Sequence, residues 1–240
     1  SVISSPSHIK KTDPAAIIAL IDSFTLEATF YVLEEALKAS IRSAVPVDSR
    51  TFADTLLTTV LTIPRREAIT QAVSSKNEKK FNETLAQIKK DAGVMILEHS
   101  IPLKIAEHVT QENLRSSITA QVSKTYQACL KKIKNNATDF DTKFAKCNSN
   151  ALNEATISVF RVNLDIALEE NFPTHGQSSG TREFNREKHQ RIRSKLINAA
   201  FKREVAEINE GGGGFALTLL SYQFKLNAGI EIFKETFVFW

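Results

Sequence analysis

The sequence lacks the features that usually mark an enzyme or a membrane-spanning protein. No uninterrupted apolar run approaches the ~20 residues of a membrane-spanning helix. Only two cysteines are present, and no group of Cys and His residues has the spacing of a metal site. The pairs Glu98-His99 and Glu107-His108 match no familiar ligand spacing either. We therefore predict no catalytic residue, no metal and no cofactor.

The number of glycines and the net charge are also low. Four of the eight glycines form the run Gly211–Gly214, which no Lys-Ser or Lys-Thr pair follows. The run precedes a predicted strand, so it lacks the helix N-terminus of a phosphate-binding loop. The net charge of +4 is small for 240 residues. We predict one soluble domain over residues 1–240, in which residues 1–12 form a loose arm.

Four segments are rich in β-branched and aromatic residues, which favours strands. They are Thr51–Ile63, Thr156–Leu168, Phe215–Leu226 and Ile230–Trp240. In the second segment a period of two places Phe160, Val162, Leu164 and Ile166 on one apolar face. The sequence Asn227-Ala228-Gly229 is typical of a hairpin loop between the last two strands.

Amphipathic patterns predict helices in most of the remaining chain. One starts at the capping box Ser75–Glu78, ends at Gly93 and precedes a short strand, Val94–Leu97. Further helices are predicted from Leu114 to Ile133 and from Thr181 to Glu210. The expected fold is α/β: a long-stranded, mainly antiparallel sheet covered by helical layers on both faces.

The first half of the last of these helices is strongly basic. Its cationic residues include Arg182, Arg186, Lys188, Arg191, Arg193 and Lys195. Two interpretations stay open: a solvated helix face, and a surface that binds anionic lipid headgroups.

The two cysteines lie almost symmetrically about the turn at Asn135-Asn136. An antiparallel helix pair around this turn would bring Cys129 and Cys147 together as a disulfide in an oxidising compartment. Two reduced, buried thiols are the alternative. The sequences Asn82-Glu83-Thr84 and Asn136-Ala137-Thr138 match the N-glycosylation pattern, which is short enough to occur by chance.

One further pair in the basic helix has a catalytic precedent. Arg182 and His189 resemble the Arg-x4–6-His motif of the HEPN ribonucleases, in which the two residues act on the RNA 2′-hydroxyl. The family is all-helical, however, whereas this sequence predicts long strands. Ribonuclease activity is therefore the least favoured of three hypotheses.

The order of elements resembles that of the Cyt-type cytolytic crystal toxins and the mushroom volvatoxins. The residues that carry the resemblance are Ala44-Val45-Pro46, Phe52 to Ile63-Pro64, Asn153-Glu154-Ala155 with Ile157–Leu168, and Phe224-Lys225-Leu226 with Ile230–Trp240. The resemblance implies a protein that binds bilayers without enzymatic activity. It also implies that the helical layers separate so that long strands enter or disturb the membrane.

The first functional hypothesis is thus a secreted, cytolysin-like virulence or defence protein, soluble until it reaches a target membrane. Its expected partners are membrane lipids, anionic ones in particular, and further copies of the chain on the membrane; nucleic acid is not expected. The second hypothesis is a nonlytic module that binds a lipid or a protein.

Overall fold

The computed structural model describes residues 26–39, 50–210 and 217–237. In these ranges every regular element is an α-helix and no strand occurs. The predicted α/β fold is therefore wrong for the described part of the chain. The predicted N-terminal arm, the Gly211–Gly214 run and the last three residues of the chain lie outside these ranges.

The helices are numbered in chain order. They are α1 (residues 26–39), α2 (Arg50–Val60), α3 (Ile63–Ser74), α4 (Glu78–Ile105), α5 (Glu112–Lys131), α6 (Phe140–Asn171), α7 (Ser179–Leu196), α8 (Ala199–Glu210) and α9 (Leu217–Thr236).

The chain divides into two compact units. The first contains the described residues up to Ile96 together with Lys134–Thr138, and its core is formed by apolar side chains of α1 to α4. The second contains Leu97–Ile133 and the described residues from Asp139 onward. In this second unit α6 packs against α5, α7, α8 and α9.

The first predicted strand, Thr51–Ile63, corresponds to α2 and the start of α3. The buried residues of α2 are Ala53, Leu56 and Val60, at helical spacing. Its threonines are accommodated because their hydroxyls bond within the helix: Thr55 Oγ1 donates to the Thr51 carbonyl at 2.9 Å. Pro64 does not end a strand but lies in the first turn of α3, where its missing N–H costs nothing.

The helix predicted to end at Gly93 continues to Ile105 as α4, so the short strand Val94–Leu97 is wrong. Its N-cap is not Ser75 but Asn77, whose Oδ1 accepts a hydrogen bond from the Lys80 backbone N–H at 3.1 Å. Ser75 instead bonds the Gln71 carbonyl behind it.

The second predicted strand, Thr156–Leu168, lies in the middle of the 32-residue helix α6. Buried side chains recur every four residues along α6, in the rows Cys147, Ala151, Ala155, Val159 and Phe160, Leu164, Leu168. The second row belongs to a core that also contains Ile192 of α7 and Ala228 of α9. Val162 and Ile166 are only half-buried, so the four residues predicted to share one strand face do not share a face.

The last two predicted strands and the hairpin loop between them fall on one helix. Leu217 to Thr236 form α9, and Asn227-Ala228-Gly229 lies inside it. A Cβ built on Gly229 meets no atom within 4 Å, so nothing in the packing requires glycine there. The predicted helix Thr181–Glu210 is in turn divided: α7 ends at Leu196, and Asn198 caps α8 through its Oδ1 and the Phe201 N–H at 2.8 Å.

Helices α5 and α6 are covalently joined by the Cys129–Cys147 disulfide, with a Cα–Cα distance of 5.9 Å. A bond that closes a loop of 18 residues stabilises a fold by about 3 kcal/mol in the chain-entropy account. Nearby, the Tyr126 hydroxyl donates to the Asn148 side chain. Burial raises the pKa of Tyr126, so this hydroxyl stays a donor at physiological pH.

Candidate functional site

The basic residues of α7 are mostly engaged in contacts inside the second unit. Lys188 is buried, donates from Nζ to the Glu235 carbonyl at 3.2 Å, and lies over the rings of Phe172 and Phe184 at 4.8 and 4.7 Å. An ammonium that is desolvated in this way requires such partners. Lys188 therefore anchors α9 to α7 and is not presented to a ligand.

Two further cations of α7 pair with α9. Arg191 binds both carboxylate oxygens of Glu235, at 3.1 and 3.2 Å, and the Glu235 side chain is only 6% exposed. The hydrogen bonds from Arg191 lower the pKa of Glu235, so this carboxylate stays charged in the fold. One turn away, Lys195 Nζ lies 3.4 Å from Glu231. These contacts form a polar seam between α7 and α9.

The remaining predicted lipid-binding cations are dispersed. Arg193 bonds Asp165 of α6 at 2.6 Å, and Arg182 donates to the Gln177 carbonyl at 3.1 Å. Arg186 is exposed on α7. The six basic residues therefore do not share one exposed face.

Apart from Leu103 and Phe184, the exposed large apolar side chains in the described part of this unit lie on α9 and on Phe237 directly after it. Leu226, Ile230, Phe233 and Phe237 are 65%, 44%, 63% and 51% exposed, and the ring centroids of the last two are 4.6 Å apart. Steps of four, three and four residues put these side chains in one row along a helix. We call them the apolar row.

The charged residues of α9 are arranged around this row by sign. The acidic residues Glu231 and Glu235 face α7, with 16% and 6% of their side chains exposed. The two lysines are exposed, the Lys234 side chain to 61%, and Lys234 Nζ lies 3.4 Å from Glu231. At about 100° per residue, Lys225 and Lys234 lie on opposite flanks of the apolar row. The outward side of residues 225–237 is thus apolar in the middle, with one lysine at each edge.

From Lys225 onward, where its side chains are described continuously, α9 turns few large apolar side chains inward. Ala228 and Ile232 pack against the core that contains Leu164 and Leu168 of α6. The other inward positions between residues 225 and 236 are the two glutamates of the polar seam. Over residues 225–236 the helix therefore packs through a side that holds two glutamates, and its apolar row faces solvent, opposite to an ordinary surface helix.

The apolar row was missed because its residues were divided between two predicted strands. The sequence shows the spacing of four, three and four residues from Leu226 to Phe237, which indicates one face of a helix. It does not show which side of that helix the fold covers, because the partners of the acidic residues are distant in the chain.

The all-helical fold of the described residues removes the objection that predicted strands raised against the ribonuclease resemblance, but both residues of the pair are engaged within the second unit. His189 is 5% exposed, and its Nε2 lies 2.8 Å from the Phe172 carbonyl, to which it donates. Arg182 is bound to the Gln177 carbonyl. A general base must reach the proton that it abstracts, and the His189 ring is covered.

In the described ranges, no three His, Cys, Asp or Glu side chains are grouped so as to hold a metal ion. An open groove of about 800 Å³ runs between α4 and α5, lined by small and charged side chains that include Ala106, Ala120, Glu98 and Lys124. Its lining mixes apolar, polar and charged side chains and does not select one kind of ligand.

Among the helices described, none combines the length and the apolar character of a membrane-spanning segment. Comparisons of the chain with protein-family models, curated proteins and solved structures found no match.

Proposed function

We propose that this protein attaches to the surface of lipid bilayers through the outward side of α9. The observation that carries the proposal is the orientation of this helix. Its apolar row faces solvent while its two glutamates are held against α7. Amphipathic helices that lie in the membrane interface have this composition, with Phe and Leu in the middle and Lys at the edges.

The expected affinity follows from the exposed area. A Leu, Ile or Phe side chain that is removed fully from water contributes about 1.5–3 kcal/mol, so four half-exposed side chains supply about 3–6 kcal/mol. Each flanking lysine adds about 1 kcal/mol near an anionic surface. Attachment should therefore be reversible and stronger on anionic than on neutral bilayers.

This mode of attachment differs from the strand insertion that the resemblance to cytolysins implied. That mechanism needs a long strand from Thr156 with an apolar face that can enter lipid. Residues 156–168 are helical, and Phe160 and Leu164 are buried in the core. In the proposed mode the fold stays intact and one helix face enters the interface of one leaflet.

The disulfide supports a place of action outside reducing compartments. Disulfides such as Cys129–Cys147 persist in secreted and surface proteins and are rare in the cytosol. A secreted protein that acts at a membrane surface combines this feature with the exposed row on α9.

Flotation with vesicles tests the proposal. The intact chain should float with vesicles that contain phosphatidylserine, and the double variant I230D/F233D should stay at the bottom of the gradient. I63D is the matched control, because Ile63 is 74% exposed on α3 and is not part of α9. It should float like the parent, and circular dichroism should show unchanged helix content in both variants.

Equal flotation of the parent and I230D/F233D would contradict the proposal. So would a parent that never floats but forms a dimer in sedimentation velocity, with I230D/F233D monomeric. In that case a second copy of the chain would cover the apolar row.

A further inference from the structure

Two sequence segments match the N-glycosylation pattern, and the structure separates them. Asn136-Ala137-Thr138 lies between α5 and α6, in residues 132–139, which are not helical. Asn82-Glu83-Thr84 lies inside α4. The transferase that recognises this pattern acts on exposed loops of exported proteins. The two segments therefore differ in whether the pattern lies in a loop or in a helix.

The turn that holds Asn136 is anchored on both sides of this residue. Ile133 and Phe140 are buried, and Asn135 donates from Nδ2 to Gln87 Oε1 of α4 at 3.1 Å. Asn136 and Thr138 are both exposed. The acceptor amide and the hydroxyl of the pattern are therefore presented together on a non-helical segment whose neighbours are fixed.

The other segment lacks this presentation. Asn82 is exposed, but its backbone is helical. The Thr84 hydroxyl donates to the Lys80 carbonyl at 2.9 Å and is partly buried. Presenting this segment in a bent, non-helical conformation would require part of α4 to unfold.

We propose that Asn136 is a site of N-linked glycosylation and that Asn82 is not. The reaction needs a polyprenyl-pyrophosphate-linked oligosaccharide as donor. Asn136 Nδ2 forms a bond to the anomeric carbon of the first sugar and gives up one proton, which passes to a base of the transferase and then to solvent. The bond from that carbon to the pyrophosphate oxygen breaks, its electron pair stays on that oxygen, and the polyprenyl pyrophosphate leaves. The Cys129–Cys147 disulfide fits this assignment, because disulfides form in the oxidising compartment of the secretory pathway.

The test uses the full chain exported through a eukaryotic secretory pathway, with peptides analysed by mass spectrometry. The peptide that contains Asn136 should carry a glycan, and an amidase that releases N-linked glycans should leave Asp at this position. N136Q and T138V should abolish the modification. T138S, which keeps the hydroxyl, and N82Q should retain it.

Unmodified Asn136 in exported protein whose Cys129–Cys147 disulfide has formed would overturn the proposal, and so would a glycan on Asn82 alone. Because the readout is a mass and not membrane binding, its outcome is independent of the function proposed for α9.

Discussion

Helices α7 and α9 pack against each other and use their surfaces in opposite ways. α7 is rich in cations, yet Lys188, Arg191 and Lys195 are directed at α9. α9 is rich in apolar residues, yet Leu226 and Phe233 are 65% and 63% exposed. The cations of α7 thus stabilise the contact, and the apolar row forms the free surface.

The difference teaches that composition alone does not identify a binding surface. A cationic helix is available to anionic ligands only where its charges are not already neutralised. An apolar helix side is available only where the fold leaves it uncovered. The four predictions below test this contrast between α7 and α9, from the largest expected effect to the smallest.

The strongest contrast concerns apolar residues of the two helices. Ile192 of α7 is fully buried in the core, whereas Phe233 of α9 is mostly exposed. I192A should lower the free energy of unfolding by about 2–5 kcal/mol, and F233A should change it by no more than about 0.5 kcal/mol. Urea unfolding followed by circular dichroism measures both. Similar losses in the two variants would mean that α9 is covered on both sides.

The polar seam should matter for the fold. E235Q removes the charge that pairs with Arg191 but keeps the size of the side chain. Since a hydrogen bond to a charged group contributes about 1.5–3 kcal/mol, this variant should be less stable by about that amount in the same urea experiment. E183Q, at an exposed position of α7, is the control and should unfold like the parent. Parent-like stability of E235Q would show that the seam does not hold α9.

The Glu235 carboxylate should also make the free energy of unfolding depend on pH. Its pKa is lowered by Arg191 and, more weakly, by Lys195 and Lys188, so the folded state favours the charged form. The stabilisation is then present above the ordinary pKa of glutamate, about 4.3, and is lost as the pH falls through the lower pKa of the fold. Unfolding curves between pH 7 and pH 2.5 should show the parent and E235Q converging at the acid end. A constant difference over this range would exclude the seam as its source.

The smallest effect concerns the lysines beside the apolar row. K225Q/K234Q should weaken attachment to anionic vesicles by about 1 kcal/mol for each lysine, and the loss should shrink at high salt. Attachment to neutral vesicles should stay the same. R186Q removes an exposed cation of α7 and should change neither. If R186Q has the larger effect, α7 takes part in the contact.

The sequence pattern predicted some helices correctly. The sheet that it also predicted does not occur in the described residues. The spacing from Leu114 to Ile133 identified α5, because six apolar residues repeat over five turns without a competing pattern. Between Thr156 and Leu168 the apolar residues satisfy a period of two and a period near four at once. The preceding row Cys147, Ala151, Ala155 would have favoured the helix, since it extends the four-residue repeat. In α9, β-branched and aromatic residues favoured strands, but such propensities are weak and yield to tertiary packing.

The candidate site was predicted less well than the helices. The basic residues of α7 were found, but their partners Asp165, Glu231 and Glu235 are 28 to 44 residues away in the chain. No local pattern links residues at such distances. For Cys129 and Cys147 the sequence left two alternatives, a disulfide and two reduced thiols. The turn between their helices brings the two residues near each other, but whether they can bond depends on the distance and orientation that only the fold supplies.

The claim that α9 and not α7 meets the bilayer is tested most directly by site-specific fluorescence. The described cysteines are both in the disulfide, so a single introduced cysteine can carry an environment-sensitive dye. The account predicts that dyes at Leu226→Cys and Phe233→Cys shift to the blue with phosphatidylserine vesicles and are quenched by bilayer-embedded quenchers. Dyes at Arg186→Cys and Ile63→Cys should stay in water. A shift at position 186 without one at 226 and 233, or no shift at any position, would contradict the account.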